Sequence, residues 1–416
     1  MSPRGIASYE NRLLVLLFFT FGFVFFDRQA LNFLFPFIAR DFGLTNTHLG
    51  MLASALALTW ALSGLAIGAL SDRMGSRKPL LVATVIVFSV ASLLSGLAGG
   101  FATMMACRLL MGVAEGPVLP LAQALMVSES SESRRGMNMG LLQSSAVGLI
   151  GGLLGPPVIV GVAEHFGWRT SFYVSCIPGL ILAALIWRYV REPKAPRPAP
   201  SPAGERHRIL EPLKFKNVWL GVAISCFFVS WFIVFITFVP TYLVQGKGFR
   251  PEQMAMVLTV IGAAQVVWGF VVPALSDRIG RKPAMVVFCL LSLGTPLSVI
   301  LLDDPISLAA GVALTFAGPG CFTLFMATIP AETVPARYLA TAMGLVMGIG
   351  ELAGGVLAPT LAGVAADAYG PASPFWICTV GAAVAGALSL FLDETAPAAL
   401  RRRGATLHPE TSTHEI

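Results

Sequence analysis

The sequence predicts an all-α membrane protein of twelve transmembrane helices arranged as two pseudo-symmetric six-helix bundles. Three observations carry that prediction. Of 416 residues, 56% are hydrophobic and 12% charged, whereas soluble globular domains carry a charged share of about 25%. The apolar residues gather into twelve runs, long enough to cross a hydrocarbon core of about 30 Å at 1.5 Å per residue. The second half of the chain also repeats the first.

Charge clusters and turn residues cut the runs at roughly 13–37, 48–70, 79–99, 102–127, 137–163, 169–190, 216–245, 254–275, 283–302, 306–330, 338–366 and 373–392. The first is long and keeps charges at its centre, unlike a cleaved leader, so it reads as a retained span. Arg73, Arg77 and Lys78 follow the second run, Arg134 and Arg135 the fourth, Arg278, Arg281 and Lys282 the eighth, and Arg401 to Arg403 the twelfth. Odd-numbered gaps hold Arg40, Asp303, Asp304 and Asp367 with few basic residues. That asymmetry places both termini in the cytoplasm. It also accounts for the net charge of +6 without a nucleic-acid partner. Residues 191–215, with Pro193, Pro196, Pro198, Pro200 and Pro202, read as a cytoplasmic linker between an N-terminal bundle (1–190) and a C-terminal bundle (216–392), with a cytoplasmic tail over 393–416.

The first run carries Phe25-Phe26-Asp27-Arg28-Gln29-Ala30-Leu31-Asn32 near mid-membrane. Ionised groups there cost roughly 2.5–3.5 kcal/mol each and normally face a partner or a water-filled cavity. A self-neutralised pair, or an Arg28 that snorkels, is the alternative. Adjacent side chains diverge by about 100° around a helix, so Asp27 and Arg28 each need a separate partner.

The fourth run supplies candidates in Arg108-Leu109-Leu110-Met111-Gly112-Val113-Ala114-Glu115-Gly116-Pro117. A seven-residue spacing is close to two turns, so Arg108 and Glu115 share a face about 10 Å apart along the axis. An anchoring role for Arg108 near a membrane face is its alternative. The fifth run holds Gln143-Ser144-Ser145 and then Gly148, Gly151, Gly152, Gly155, Pro156 and Pro157, which permit close helix approach and a kink. In the second half, Glu351 is the main charge within a span, with a proton role and a locally satisfied carboxylate equally open. Tyr242, Gln265, Thr237 and Trp268 are candidate cavity liners, and the aromatic run from Phe227 to Phe238 reads as core or lipid-facing.

Cys107, Cys176, Cys226, Cys289, Cys321 and Cys378 lie inside apolar runs at no metal-like spacing and read as buried hydrophobes. None of His48, His165, His207, His408 and His414 is placed inside a span, so intramembrane protons would have to be carried by carboxylates. With no metal cluster and no nucleophile-base pair in the spans, an enzyme is disfavoured.

Ala69-Leu70-Ser71-Asp72-Arg73-Met74-Gly75 returns as Ala274-Leu275-Ser276-Asp277-Arg278-Ile279-Gly280. Repeated six-span halves with a site between them near the midplane are the logic of alternating-access carriers. Gly68, Asp72, Arg73, Gly75 and Arg77 resemble the loop signature of the major facilitator superfamily, with Ser76 where a basic residue is common. Asp277, Arg278, Gly280 and Arg281 form its second copy, although Pro273 departs at the leading glycine. The resemblance covers almost the whole chain and implies the facilitator fold, with these residues as a conformational loop motif.

Asp27-Arg28 together with Arg108 and Glu115-Gly116-Pro117 resembles the anion:cation symporter branch, which includes sialin, vesicular glutamate carriers and bacterial galactonate and hexuronate carriers. The resemblance implies Arg28 as the contact for a substrate carboxylate, Asp27 and Glu115 as protonatable groups, and Arg108 as their switching partner. Desolvation favours a neutral carboxyl and a nearby guanidinium favours the ion, so a movable pairing couples protons to substrate. Asn32, Gln143, Tyr242 and Gln265 are expected to complete the substrate site. The expectation is uptake of a small organic anion, such as a sugar acid or aromatic acid, with protons, by a monomer without cofactor or metal in a bacterial inner membrane. Spinster-type lysolipid or sphingoid carriers share the two pairs, and a drug/proton antiporter is a further alternative. Gly151, Gly155 and Pro156 partly resemble the antiporter motif, but Val158 and Ile159 stand where its last glycines belong.

Overall fold

The computed structural model describes residues 9–74, 76–131, 134–192, 210–335 and 338–402. Each apolar run forms a helix, since uninterrupted apolar segments of this length can satisfy every backbone group only by coiling on themselves. In chain order the helices are α1 (Tyr9–Phe42), α2 (Asn46–Met74), α3 (Lys78–Gly96), α4 (Phe101–Glu129), α5 (Val147–Phe166) and α6 (Trp168–Tyr189). There follow α7 (Lys216–Gly246), α8 (Pro251–Ile279), α9 (Arg281–Leu301), α10 (Pro305–Thr333), α11 (Thr341–Tyr369) and the shorter α12 (Ser373–Ser389). The protein is a multi-pass integral membrane protein, and no strand occurs among the described residues.

Several helices are irregular where the sequence carries Gly and Pro. α4 is broken at Gly116-Pro117. Widened, π-helical turns occur at Val147–Leu154 ahead of Pro156, at Leu324–Thr328 ahead of Pro330 and at Leu352–Leu357 ahead of Pro359. Proline lacks an N–H and crowds the preceding turn, and a wider turn relieves that crowding. The fifth run thus carries a π-helical irregularity where a kink is expected. One expectation is corrected: His48 lies in the first turn of α2 and His165 in the last turn of α5, inside helices rather than outside them. His165 is exposed, and the His48 ring packs 4.6 Å from that of Phe101.

In the first bundle α3 packs on α6 and α4, α2 on α4, and α1 on α5 and α6. In the second, α7 packs on α12 and α11, and α8 on α9 and α10. The repeat is visible in the backbone. Gly43 after α1 and Gly248 after α7 share φ near +64° and +69°, and Gly167 after α5 and Gly370 after α11 share φ of +83° and +101°.

Among the described residues the bundles meet chiefly along two seams, α2 with α11 and α5 with α8, and α1 also packs on α7. In the second seam Gly152 and Gly262 face each other so closely that a Cβ on Gly262 would meet the Gly152 backbone. In the first, Gly50 faces Pro359, and Thr360 Oγ1 donates to Ser54 Oγ at 2.8 Å. The α2/α11 seam closes at the end opposite the basic loops. There Asp367 accepts from the amides of Asn46 (3.0 Å) and Thr47 (2.8 Å), from Asn46 Nδ2 (3.0 Å) and from Thr47 Oγ1 (2.6 Å). An anion at this position meets the free N–H groups of the first turn of α2. Asp367→Ala is expected to loosen the seam, so that a Ser54→Cys reporter, buried there, reacts several-fold faster with a membrane-impermeant maleimide; unchanged reactivity would contradict a latch.

Candidate functional site

The charged residues of α1 and α4 converge in the first bundle. On α1, Asp27 and Arg28 point in different directions, as their adjacency requires. Asp27 is buried and turns toward α3, where Oδ1 accepts from Ser92 Oγ at 2.6 Å. Arg28 is half-buried, its guanidinium 5.5 Å from the Phe25 ring and 5.4 Å from the ring of Trp60 on α2. One turn further, Asn32 donates to Gln29 Oε1 at 2.8 Å.

Arg108 is 1% exposed and Glu115 fully buried. Two turns of α4 put them on one inward face, and the Arg108 guanidinium stands 5.9 Å from the Phe172 ring of α6. Arg108 lies in the Coulombic field of both Asp27 and Glu115 yet hydrogen-bonds to neither. Asp27 Oδ2, Arg108 Nε and Nη2 and both Glu115 oxygens are buried without a hydrogen-bond partner. Buried ions without partners are costly, and such a cluster needs a functional explanation. The indole Nε1 of Trp60, beside Arg28, is a further buried donor with no acceptor.

The second bundle contributes Glu351. It is half-buried at the start of the widened turn of α11, with Oε1 against Gly355, where a new Cβ would also meet Ala57 of α2. Ala57 and Trp60 are one turn apart on α2, so Arg28 and Glu351 flank the same face, each in the other's field. The sequence offered no partner for Glu351.

Of the other expected site residues, Gln265 is half-buried on α8 beside Val266, whose side chain lies against Gly148 of α5. It is therefore at the seam between bundles. Tyr242 packs its ring 4.8 Å from Phe375 of α12, within the second bundle. Trp268 Nε1 donates to Ala313 O at 2.9 Å and Thr237 is buried. The side chain of Gln143 lies outside the described residues. The aromatic run divides: Phe228, Trp231, Phe235 and Phe238 are core, and Phe227 is exposed.

In the loop motif, Gly75 and the side chains of Asp72 and Arg73 lie outside the described residues, as does the environment of Gly68. Arg77 donates its amide to Glu192 Oε1 at 2.6 Å and Nη1 to Ala124 O at 3.2 Å. The second copy is a dense ion network. Arg281 reaches Asp277 Oδ1 at 2.5 Å, Ser276 Oγ at 2.7 Å and Glu332 Oε1 at 2.9 Å, while its amide donates to Glu394 at 2.7 Å. Arg278 is in the last turn of α8. Gly280, at φ +109°, has a backbone conformation that favours glycine. Glu192 and Glu394 thus do the same work in the two halves, receiving the first amides of α3 and α9.

The sequence model of the Major Facilitator Superfamily matches residues 17–354. The chain belongs to the Major Facilitator Superfamily. This facilitator is a transporter and not an enzyme. It is 28% identical to the hexuronate transporter of Bacillus subtilis (strain 168), over 92% of this chain and 94% of that one. It is 27% identical to the D-galactonate transporter of Escherichia coli O6:H1, over 91% and 94%. A crystal structure of a bacterial homologue of the human lysosomal transporter Spinster, inward-facing and unoccupied, superposes with a TM-score of 0.75 at 19% identity, covering 93% of this chain and 97% of that one.

Ser92, Trp60 and Phe172 were missed by sequence reasoning, although they surround the charges of the facilitator site. A serine, a tryptophan and a phenylalanine in apolar runs carry no signal of their own. Only the packing of α2, α3 and α6 around α1 and α4 selects them.

Proposed function

We propose that this facilitator is a secondary active transporter that takes up a small organic anion, a carboxylate such as a sugar acid, together with protons by alternating access. The observation that carries the reading is the division of labour among four intramembrane charges. Arg28 is partly open and stands on an aromatic platform, whereas Asp27, Arg108 and Glu115 are buried and incompletely paired.

Arg28 supplies a planar fork that matches a carboxylate. The unpaired Trp60 N–H stands beside it as a second donor. Asp27 and Glu115 are the proton carriers. Arg108, between them, serves whichever carboxylate is ionised, so that proton arrival on one releases Arg108 to the other. Asn32 and Gln265 are the remaining polar groups of the substrate site. The transporter sequences it resembles, named for hexuronate and D-galactonate, support a hydroxylated carboxylate as cargo.

Ser92 positions Asp27. A hydrogen bond to a charged group contributes about 1.5–3 kcal/mol, so Ser92→Ala is expected to slow proton-driven uptake roughly tenfold, with Ser92→Thr retaining most of it. Equal loss in both variants would deny Ser92 this role.

Binding by purified protein tests the substrate class. Titration with hexuronate, galactonate and aromatic acids, against lysolipids and cationic dyes, is expected to give saturable binding only to carboxylates. Binding of lysolipids or dyes and not carboxylates would overturn the reading.

A further inference from the structure

At the basic end of the first bundle, away from the transport charges, α1, α3 and α6 enclose a cavity of about 540 Å³. Its wall includes four cationic side chains, Arg12, Lys78, Arg188 and Arg191, and one carboxylate, Glu192. Glu192 is already engaged, accepting from the amides of Arg77 at 2.6 Å and Lys78 at 2.9 Å. Among the described residues, no carboxylate is paired with Lys78, Arg188 or Arg191.

What these three cations do touch is aromatic. Lys78 Nζ lies 5.3 Å from the Trp187 ring, Arg188 is 5.5 Å from Tyr189, and Arg191 is 4.8 Å from Tyr9. The backbone of Arg191 is fixed separately, by donation to the Tyr9 hydroxyl at 2.8 Å. Trp187 and Tyr189 are 62% and 53% exposed, at the end of a span, where aromatic rings sit at the headgroup level. The lining also includes the apolar residues Leu13, Leu16 and Val190.

We propose that this cavity binds the phosphodiester headgroup of an anionic bilayer lipid. Basic pockets between spans on the cytoplasmic side recognise such headgroups, and each cation near an anionic surface is worth about 1 kcal/mol. The apolar lining residues and the exposed interfacial rings suit a headgroup with acyl chains more than a free anion. The site lies apart from the four transport charges, so the proposal stands whatever the cargo.

The test is thermal unfolding of the full chain in detergent with added phosphatidylglycerol, phosphatidylcholine or inorganic phosphate at equal concentration. Wild type is expected to gain thermal stability with phosphatidylglycerol only. Arg188→Gln/Arg191→Gln, which removes two exposed side chains, is expected to lose more than half of that gain while matching wild type in phosphatidylcholine. Equal stabilisation by phosphatidylcholine, full reproduction of the effect by phosphate, or an undiminished gain in the double variant would overturn the proposal. The wild-type comparison of the two lipids decides even if the variant does not fold.

Discussion

Arg28→Ala is expected to abolish substrate binding and uptake while leaving the fold intact. A charge-assisted hydrogen bond contributes about 1.5–3 kcal/mol, and a carboxylate held by both arms of a guanidinium makes two. Loss of about 3 kcal/mol is a weakening of more than about 100-fold, enough to take a micromolar ligand out of a practical titration. Arg28→Lys keeps the charge and loses the fork, so intermediate affinity is expected. Because Arg28 is half-buried and rests on Phe25 and Trp60 without a carboxylate clasp, its removal breaks no hydrogen-bonded ion pair, although Glu351 and Glu115 lose the field of a neighbouring cation. Thermal unfolding without ligand should match wild type. Normal carboxylate affinity in Arg28→Ala would remove this residue from the site.

Glu115→Gln is expected to separate binding from energy coupling. The amide preserves size and packing but cannot take up and release a proton. Both oxygens of Glu115 lack a hydrogen-bond partner, so the change breaks no visible bond. Substrate affinity and substrate-for-substrate exchange should remain within a few-fold of wild type. Accumulation driven by a pH gradient should fall to equilibration. With one proton per substrate, a gradient of about one pH unit supplies about 1.4 kcal/mol, a tenfold accumulation. Retention of tenfold accumulation in Glu115→Gln would shift the proton role to Asp27 or elsewhere.

These expectations rest on residues of unequal legibility. The helices were readable because apolar runs cut by basic loops leave few alternatives, and Asp27, Arg28, Arg108 and Glu115 stood out because charge inside such runs is costly. The seven-residue spacing correctly put Arg108 and Glu115 on one inward face. The spacing did not reveal that Asp27 is held by a serine from α3. Nor did it show that Arg28 lies on Trp60 of α2 or that Glu351 of the second bundle lies in its field. These contacts join residues far apart in sequence, and the partners are uncharged or isolated. The latch at Asp367 was hidden similarly: the loop aspartate was visible, but its work depends on meeting the first turn of α2. Tyr242, expected in the substrate site, packs its ring against Phe375 of α12, a contact the sequence did not signal.

The central claim is that carboxylate movement is coupled to protons through the four charges. It is tested most directly with purified protein in liposomes given an inside-alkaline gradient, following uptake of a hexuronate or galactonate with and without a protonophore. Accumulation above equilibration that collapses with protonophore is the predicted result. Uptake indifferent to the gradient, or movement only against it, would contradict the claim.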